Sequence, residues 1–440
     1  MLNLYDKMKS CSLVATLGIT ACAIPSAAVA AQDAIRLSTE AVPSPAAAQA
    51  ILDQTAHDST LRLGPLDVFP HAALSVGYDD NLLISHENPI HDVHWALAPG
   101  LMVALGDVST SLTTPVSIEK LRGLLYYSLA DEESKPRRFL GLDYTPSINL
   151  YTDNSQYNNV DESVRLSGGY NFSRMTVGLD FDFLYGQVKD NGVNNLVTIA
   201  DYNTKLRTRY DLSEITALEL NADYLRFEYI DPHYQGYQDI HGEFWLDRQF
   251  DQKLSAAVGV GLGYLQPELD PEQTYEQALI RGVYRLTGKS YLTASVGLEE
   301  RQFNTSAPDA LRPIFSLTGV FQPRETTTFT VEGHRREDTA PFQGENYIDL
   351  GVSANVRQLL FNRLYASLGG GYDNIAYTEL ETNNAQVRTD NYWFLIWTFD
   401  YEFNNHLTAT LFYTYRTDHS TEETASYNDN VVGLRAGWKY

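Results

Sequence analysis

The sequence predicts an all-β protein: a single antiparallel, up-and-down transmembrane β-barrel of about 18 strands, with 16 as the fallback. Three observations predict it. Apolar residues recur at every second position from His71 onward, and many runs hold that alternation for about 9–12 residues, the length a tilted strand needs to cross a bilayer. The links between runs alternate between short and long, as periplasmic turns and outer loops do in such barrels. Tyr and Phe gather beside the short links, giving many of the 29 tyrosines a place in an interfacial girdle that a soluble core does not offer.

The N-terminal segment sets the compartment. Lys7 and Lys9 precede an apolar run from Cys11 to Val29, and Ala28-Val29-Ala30 has the small-x-small form of a cleavage site. Residues 1–30 are therefore expected to be a secretory signal peptide, cleaved after Ala30, of a Gram-negative outer-membrane protein. Cys11 and Cys22 both fall in it, so the mature chain is expected to have no disulfide and no cysteine chemistry. The chain carries a net charge of −24. Removing Asp6, Lys7 and Lys9 with the signal leaves the mature chain near −25, which argues against nucleic acid as a partner. Residues 31–65, rich in Ala, Pro, Ser and Gln, read as a flexible periplasmic leader, and residues 66–440 as the barrel.

The alternation is plain in several elements. Val177, Leu179, Phe181, Phe183 and Tyr185 oppose Gly178, Asp180 and Asp182. Leu254, Val258, Val260, Leu262 and Tyr264 oppose Ser255, Gly259, Gly261 and Gly263. Leu407, Ala409, Leu411, Tyr413 and Tyr415 oppose Thr408, Thr410, Thr414 and Arg416, with Phe412 the exception. Short turns recur at Asn171-Phe172-Ser173, Asp211-Leu212-Ser213, Phe250-Asp251-Gln252, Thr287-Gly288-Lys289, Gln322-Pro323-Arg324 and Phe403-Asn404-Asn405. Tyr170, Tyr210, Phe250, Phe321, Phe361 and Phe403 stand beside the short turns. Between the turns lie longer polar links, in which Asn194, Gln235 and Ala340 are expected to face the outer medium. Strands placed back from Tyr440 number about nineteen, one more than an even-stranded barrel allows. The surplus one lies in 71–137, where Pro99 and Pro115 interrupt the pattern and a candidate begins near residue 119.

The last strand sets Val432, Leu434, Ala436, Trp438 and Tyr440 against Gly433, Arg435, Gly437 and Lys439. With aromatics at its last and third-last positions it resembles the closing strand of bacterial outer-membrane barrels. That resemblance implies that Trp438 and Tyr440 act as an assembly signal for the barrel assembly machinery.

No catalytic constellation is present: no GxSxG elbow, HExxH, P-loop or GxGxxG before a helix. The reading is therefore of a non-enzyme, with no cofactor and no metal ligand set. His91 and His94 flank Asp92, but a solvated loop explains them better than a metal site. Tyr-Asp/Asn tracts recur at Tyr78-Asp79-Asp80-Asn81, Tyr151-Thr152-Asp153-Asn154, Tyr372-Asp373-Asn374 and Tyr427-Asn428-Asp429-Asn430. Girdle aromatics followed by turn formers account for them, rim sites for cations or sugars being the sharper alternative. Alternation sends Asp180, Asp182, Glu219, Asp223 and Glu299 to the same inner face as Arg207, Arg209, Arg285, Arg357, Arg416 and Arg435. These are the candidate pore-lining residues, either as facing rows that narrow a wet lumen or as self-paired wall charges.

The stretch from Leu63-Gly64-Pro65 to Pro70, then Val76-Gly77-Tyr78-Asp79-Asp80-Asn81, then Ala98-Pro99-Gly100-Leu101, resembles the opening of the putative β-barrel porin 2 family. Turns such as Phe172-Ser173 and Leu212-Ser213 are similar to that family's Tyr-rich hairpins. The resemblance implies an outer-membrane barrel, associated in some members with exopolysaccharide export, and brings no catalytic residues. The expected function is a porin-like pore for passive solute passage or exopolysaccharide-associated export. The expected partners are outer-membrane lipids and lipopolysaccharide, the assembly machinery, and polysaccharide or small solutes. The alternatives are an outer-membrane enzyme on a barrel scaffold and a plugged structural barrel.

Overall fold

In the computed structural model, residues 61–106, 138–287, 290–304, 309–324, 326–380 and 385–439 are described. The expected signal peptide, most of the expected leader, Pro115, the candidate strand near 119 and Tyr440 lie outside them. The alternating runs become strands. They are β1 (Leu61–Leu63), β2 (Leu66–Asp79), β3 (Asp92–Gly106), β4 (Arg138–Tyr151), β5 (Asn159–Asn171) and β6 (Met175–Asp190). There follow β7 (Asn195–Ser213), β8 (Thr216–Tyr229), β9 (Tyr237–Gln249), β10 (Leu254–Pro267), β11 (Gln273–Thr287), β12 (Ser290–Phe303) and β13 (Ala310–Arg324). The chain continues as β14 (Thr327–Thr339), β15 (Glu345–Phe361), β16 (Leu364–Glu379), β17 (Ala385–Asn404), β18 (Leu407–Ser420) and β19 (Tyr427–Lys439).

Strands β2 to β19 pair antiparallel in sequence order, and β19 returns to β2 with Val431 opposite Asp79 and Lys439 opposite His71. This is a closed barrel of 18 strands. Eighteen of the candidates are strands of this ring, and the remaining one, near 119, lies outside the described residues. Residues 61–63, which the sequence reading leaves in the leader, form β1 instead. They turn at Gly64, whose φ of +67° suits glycine, and pair with Leu66–Val68, on the edge of β2 beyond the reach of β19.

The outer face is apolar. Leu74, Leu140, Leu179, Val258, Val260, Ile280, Val296, Leu368 and Leu434 are all exposed there, as side chains that meet lipid would be. Tyr170, Tyr210, Phe250, Phe321, Phe361 and Phe403 stand exposed beside the short turns, between 43% and 72% accessible, as a girdle requires. Strands β2 to β19 run 13 to 20 residues, longer than the expected alternating runs. The excess lies beyond the apolar band. Glu276 faces Glu300 across β11–β12, and Arg226 pairs with Glu228, forming a polar collar on the outside of the long-loop end. Pro99 sits inside β3 rather than ending it. The β3–β4 ladder lapses there, between Leu97↔Ile148 and Leu101↔Tyr144, where Pro99 and Pro146 come opposite each other without amide protons to donate.

Phe412 explains itself in the same register. It points inward, 5% exposed, and two glycines make room for it: a Cβ on Gly433 would lie 2.5 Å from its ring and one on Gly77 3.6 Å. The Arg435 guanidinium lies over that ring, 5.3 Å from its centroid.

Candidate functional site: the inner wall and its inward loops

Strand parity places every candidate pore-lining residue on the inner face, where several pair with a neighbour on the next strand. Arg207 meets Asp223 at 2.7 Å, and Arg209 meets Glu219 at 2.6 Å. Arg281 of β11 also reaches Glu219 of β8, crossing two intervening strands, and stacks on Trp245 at 4.5 Å. Asp182 is held by Arg165 at 2.9 Å, and Asp180 accepts the Ser167 hydroxyl at 2.5 Å. Glu299 pairs with Arg301, Arg357 with Asp400 at 2.9 Å, and Arg416 with Asp429. Arg285 and Arg435 are half-buried on the same face. Opposite charges therefore neutralise one another mostly between neighbouring strands rather than across the lumen.

Lys189 is the exception. From the end of β6 its ammonium lies between Asp79 of β2 at 2.6 Å and Asp429 of β19 at 3.1 Å, and donates to the Asn81 carbonyl at 3.0 Å. Four strand spacings of about 4.8 Å put roughly 19 Å of wall between β2 and β6. That exceeds the reach of a lysine and an aspartate end to end, so the β6–β7 hairpin tip bends into the lumen. Its loop is tied there too: the Tyr427 hydroxyl donates to Asn191, and Arg388 to the Gly192 carbonyl.

Other long loops join it. Gln235, 1% exposed, donates through its side-chain nitrogen to the Ala340 and Phe342 carbonyls at 2.9 and 3.0 Å and to Asp270 at 2.7 Å. Three loops are thereby fastened together. Leu82 and Ile84 of the β2–β3 loop are fully buried, Ile84 against Tyr392 and Tyr427. Contrary to the sequence reading, Gln235 and Ala340 are buried rather than facing the outer medium, and Asn194 is half-buried. These loops are short enough to fold inward and carry apolar tips. Ordinary turn chemistry holds at both ends: in the short β9–β10 turn, backbone N–H groups of Lys253 and Leu254 lower the pKa of Asp251, and in the β8–β9 loop the His233 backbone N–H and ring lower that of Asp231.

Beneath the loops is a cavity of about 110 Å³ between β6–β9 and β14–β16. Tyr229, Tyr237, Tyr347, Tyr377, Ile375 and Arg336 are among its lining residues. Toward the short-turn end the wall is more open. Glu332, Ser353, Arg357, Ser367 and Gly371 are half-buried and Asn355 is exposed on the inner face, forming a vestibule along β14–β16.

The remaining sequence candidates separate. His94 lies on β3, not in a loop; it is 4% exposed, stacked on Tyr151 at 4.7 Å and 3.2 Å from Asn149, whereas His91 stays outside. Asp92 accepts backbone N–H groups of Thr152, Asp153 and Asn154 instead of a metal. Trp438 faces outward at 43% exposure. The sequence reading passes over Lys189, Arg281 and Arg301. Arg281 shares the parity of Arg285 on β11 and is legible from it; the cross-lumen reach of Lys189 has no sequence signal.

No protein-family profile matches the chain, and a search of curated proteins finds no match. The β-barrel porin 2 resemblance therefore gains no support beyond the residues that carry it. Among solved structures the chain is similar to OccAB4 of Acinetobacter baumannii, at 10% identity and a TM-score of 0.43, covering 85% of this chain and 98% of that one. It is similar to OpdK of Pseudomonas aeruginosa, at 12% identity and a TM-score of 0.39, covering 85% and 99%. The FrpB iron transporter of Neisseria meningitidis (F5-1 variant) matches at 10% identity and a TM-score of 0.45, covering 83% and 65%. Likeness at this level carries no argument about solute or mechanism.

Proposed function

We propose that this chain is an outer-membrane barrel through which small polar solutes pass, with short turns in the periplasm and the inward-folded loops outside. The observation that carries the reading is the two-sided wall: apolar side chains face out all round the ring while charged and amide side chains face in. Such a wall suits lipid on one side and water on the other. The loops fastened by Gln235 and Lys189 favour a second state, in which the conduit is closed until they part. The tyrosines of the cavity offer flat faces of the kind that stack on sugar rings, which favours the polysaccharide-linked form of the same function. The assembly role of Trp438 and Tyr440 belongs to this reading as well.

The test is conductance of the purified protein in planar bilayers. Wild type should show small, infrequent openings, and Gln235→Ala larger ones, because the tie between three loops is cut. Asp180→Asn combined with Asp182→Asn should move the reversal potential toward anions, since Arg165 then stands without its carboxylate. Silence of folded wild type and of folded Gln235→Ala would overturn the conduit.

A further inference from the structure

We propose that His334, Asp349 and Asp373 form a binding site for a transition-series divalent cation such as Zn²⁺ on the inner wall. The site is built by three adjacent strands. His334 of β14, Gly351 of β15 and Asp373 of β16 stand side by side in register, and Asp349 is two residues along from Gly351 on the same face. Gly351 is what lets the flanking side chains converge. A Cβ there would lie 2.1 Å from Asp373 Oδ1 and 2.3 Å from His334 Cε1, so both side chains lean into the space that a larger residue would fill.

One ligand atom from each of the three residues lies within 4.8 Å of the others. A tetrahedral cation bound at 2.0–2.2 Å to imidazole and carboxylate needs ligand atoms about 3.4 Å apart, so roughly 1 Å of side-chain movement completes the set. All three residues are buried, at 6%, 0% and 4% exposure.

A cluster of acids alone would be only wall charge, but here the partners are missing. Asp373 accepts no hydrogen bond and makes no ion pair among the described residues, although it is 4% exposed and aimed at the cluster. Asp349 Oδ1 is likewise buried without a partner. Leaving carboxylate oxygens desolvated and unpaired is costly, and a cation relieves it. Asp349 Oδ2, by contrast, is fixed: His334 Nε2 lies at 2.7 Å, and Arg336 donates through Nε and Nη2 at 3.2 and 3.1 Å. Arg336 is a positioning residue: it holds Asp349 by Oδ2 and leaves Oδ1 without a partner. Two carboxylates outweigh its one charge. On binding, His334 exchanges its contact with Asp349 for the metal. One imidazole and two carboxylates with room for water suit zinc and its neighbours in the series better than Ca²⁺, which prefers six to eight oxygens.

The other acid cluster makes the contrast. Asp79, Asp80 and Asp429 also converge, but the Lys189 ammonium already takes the central position. At His334 no lysine of the described residues does so, and the Arg336 guanidinium is engaged with Asp349 Oδ2. Access is from the vestibule, where Ser353 and Gly371, next along the inner face, are half-buried.

The test is calorimetric titration of the full-length folded protein in detergent with ZnCl₂ after chelator treatment. One saturable equivalent per chain is expected. Asp373→Asn and His334→Gln, each close in shape to the native residue, should weaken it about tenfold or more, while heat-modifiable mobility shows that each variant is folded. Zn²⁺ should also raise the urea midpoint of wild type and not of Asp373→Asn. No saturable binding to wild type, or equal affinity in both folded variants, would overturn the proposal.

Discussion

Glu219 shows how an inner-wall residue works. Its carboxylate is 2% exposed and shared by Arg209 and Arg281. Removing it leaves two guanidinium groups facing each other in a confined space. Glu219→Ala should therefore destabilise the folded barrel by about 3 kcal/mol, the lower part of the range for breaking a buried pair. The lower part applies because Asp247, 3.8 Å from Arg281 and 4.0 Å from Arg209, absorbs some of the charge. Urea unfolding in phospholipid vesicles measures it, and a loss below about 1 kcal/mol would place Glu219 among ordinary surface pairs. At this scale the sequence reveals the face of a residue but not its partner. Parity alone sends Arg207, Asp223 and Glu219 inward, because a strand's period is two. That Arg281 would reach over two strands, or that Asp373 would stand without a donor, depends on the curvature of the wall, which no local pattern encodes.

The strand is the next unit, and its two faces obey different rules. Val260, 52% exposed midway along β10, faces outward within the apolar band. Val260→Arg should cost about 2–4 kcal/mol in a bilayer, the range for a cation at the midplane. Gln302→Arg, also outward but within the polar collar beside Glu300, should cost about 0–1 kcal/mol. Equal costs would mean that the collar lies in lipid and that the band is wider than drawn. Strand existence was legible from β2 to β19, since alternation and turn residues agreed, but not for the three-residue β1. Strand length was not: the polar collar alternates apolar with polar too weakly to be separated from a loop. Pro99 misleads for a related reason. A proline ends a strand when its amide is needed, and opposite Pro146 it is not.

For the whole molecule, evenness settles the strand count, and the register confirms 18. The inward fold of the loops was hidden, because Gln235 and Ala340 sit in polar links that read as solvated. Their burial predicts a labelling pattern. Cysteines at His233, whose side chain is 85% exposed, and at Thr424 should react with a membrane-impermeant maleimide on intact cells, whereas cysteines at Asp251 and Asn404 should not. Cysteines at Gln235 and Ala340 should stay unreactive until the protein is unfolded. Reaction at Asp251 with none at His233 would invert the orientation, and prompt reaction at Gln235 would mean that the loops do not close the end.

The pairing of Lys439 with His71 places the two ends of the ring at the same rim. Every other seam joins strands consecutive in sequence, so the wall is a cycle of hairpins with a single break. Circular permutation moves that break without altering any ladder: a short linker from β19 to β2 and a cut after Phe250 leave each strand beside its present neighbours. The permuted chain would then finish on β9, with Leu246, Arg248 and Phe250 on the outer face and an aromatic last. In the finished ring no strand is first. On the proposed assembly role of the last strand, that role would pass in the permuted chain to β9, whose outer face carries Leu246, Arg248 and Phe250.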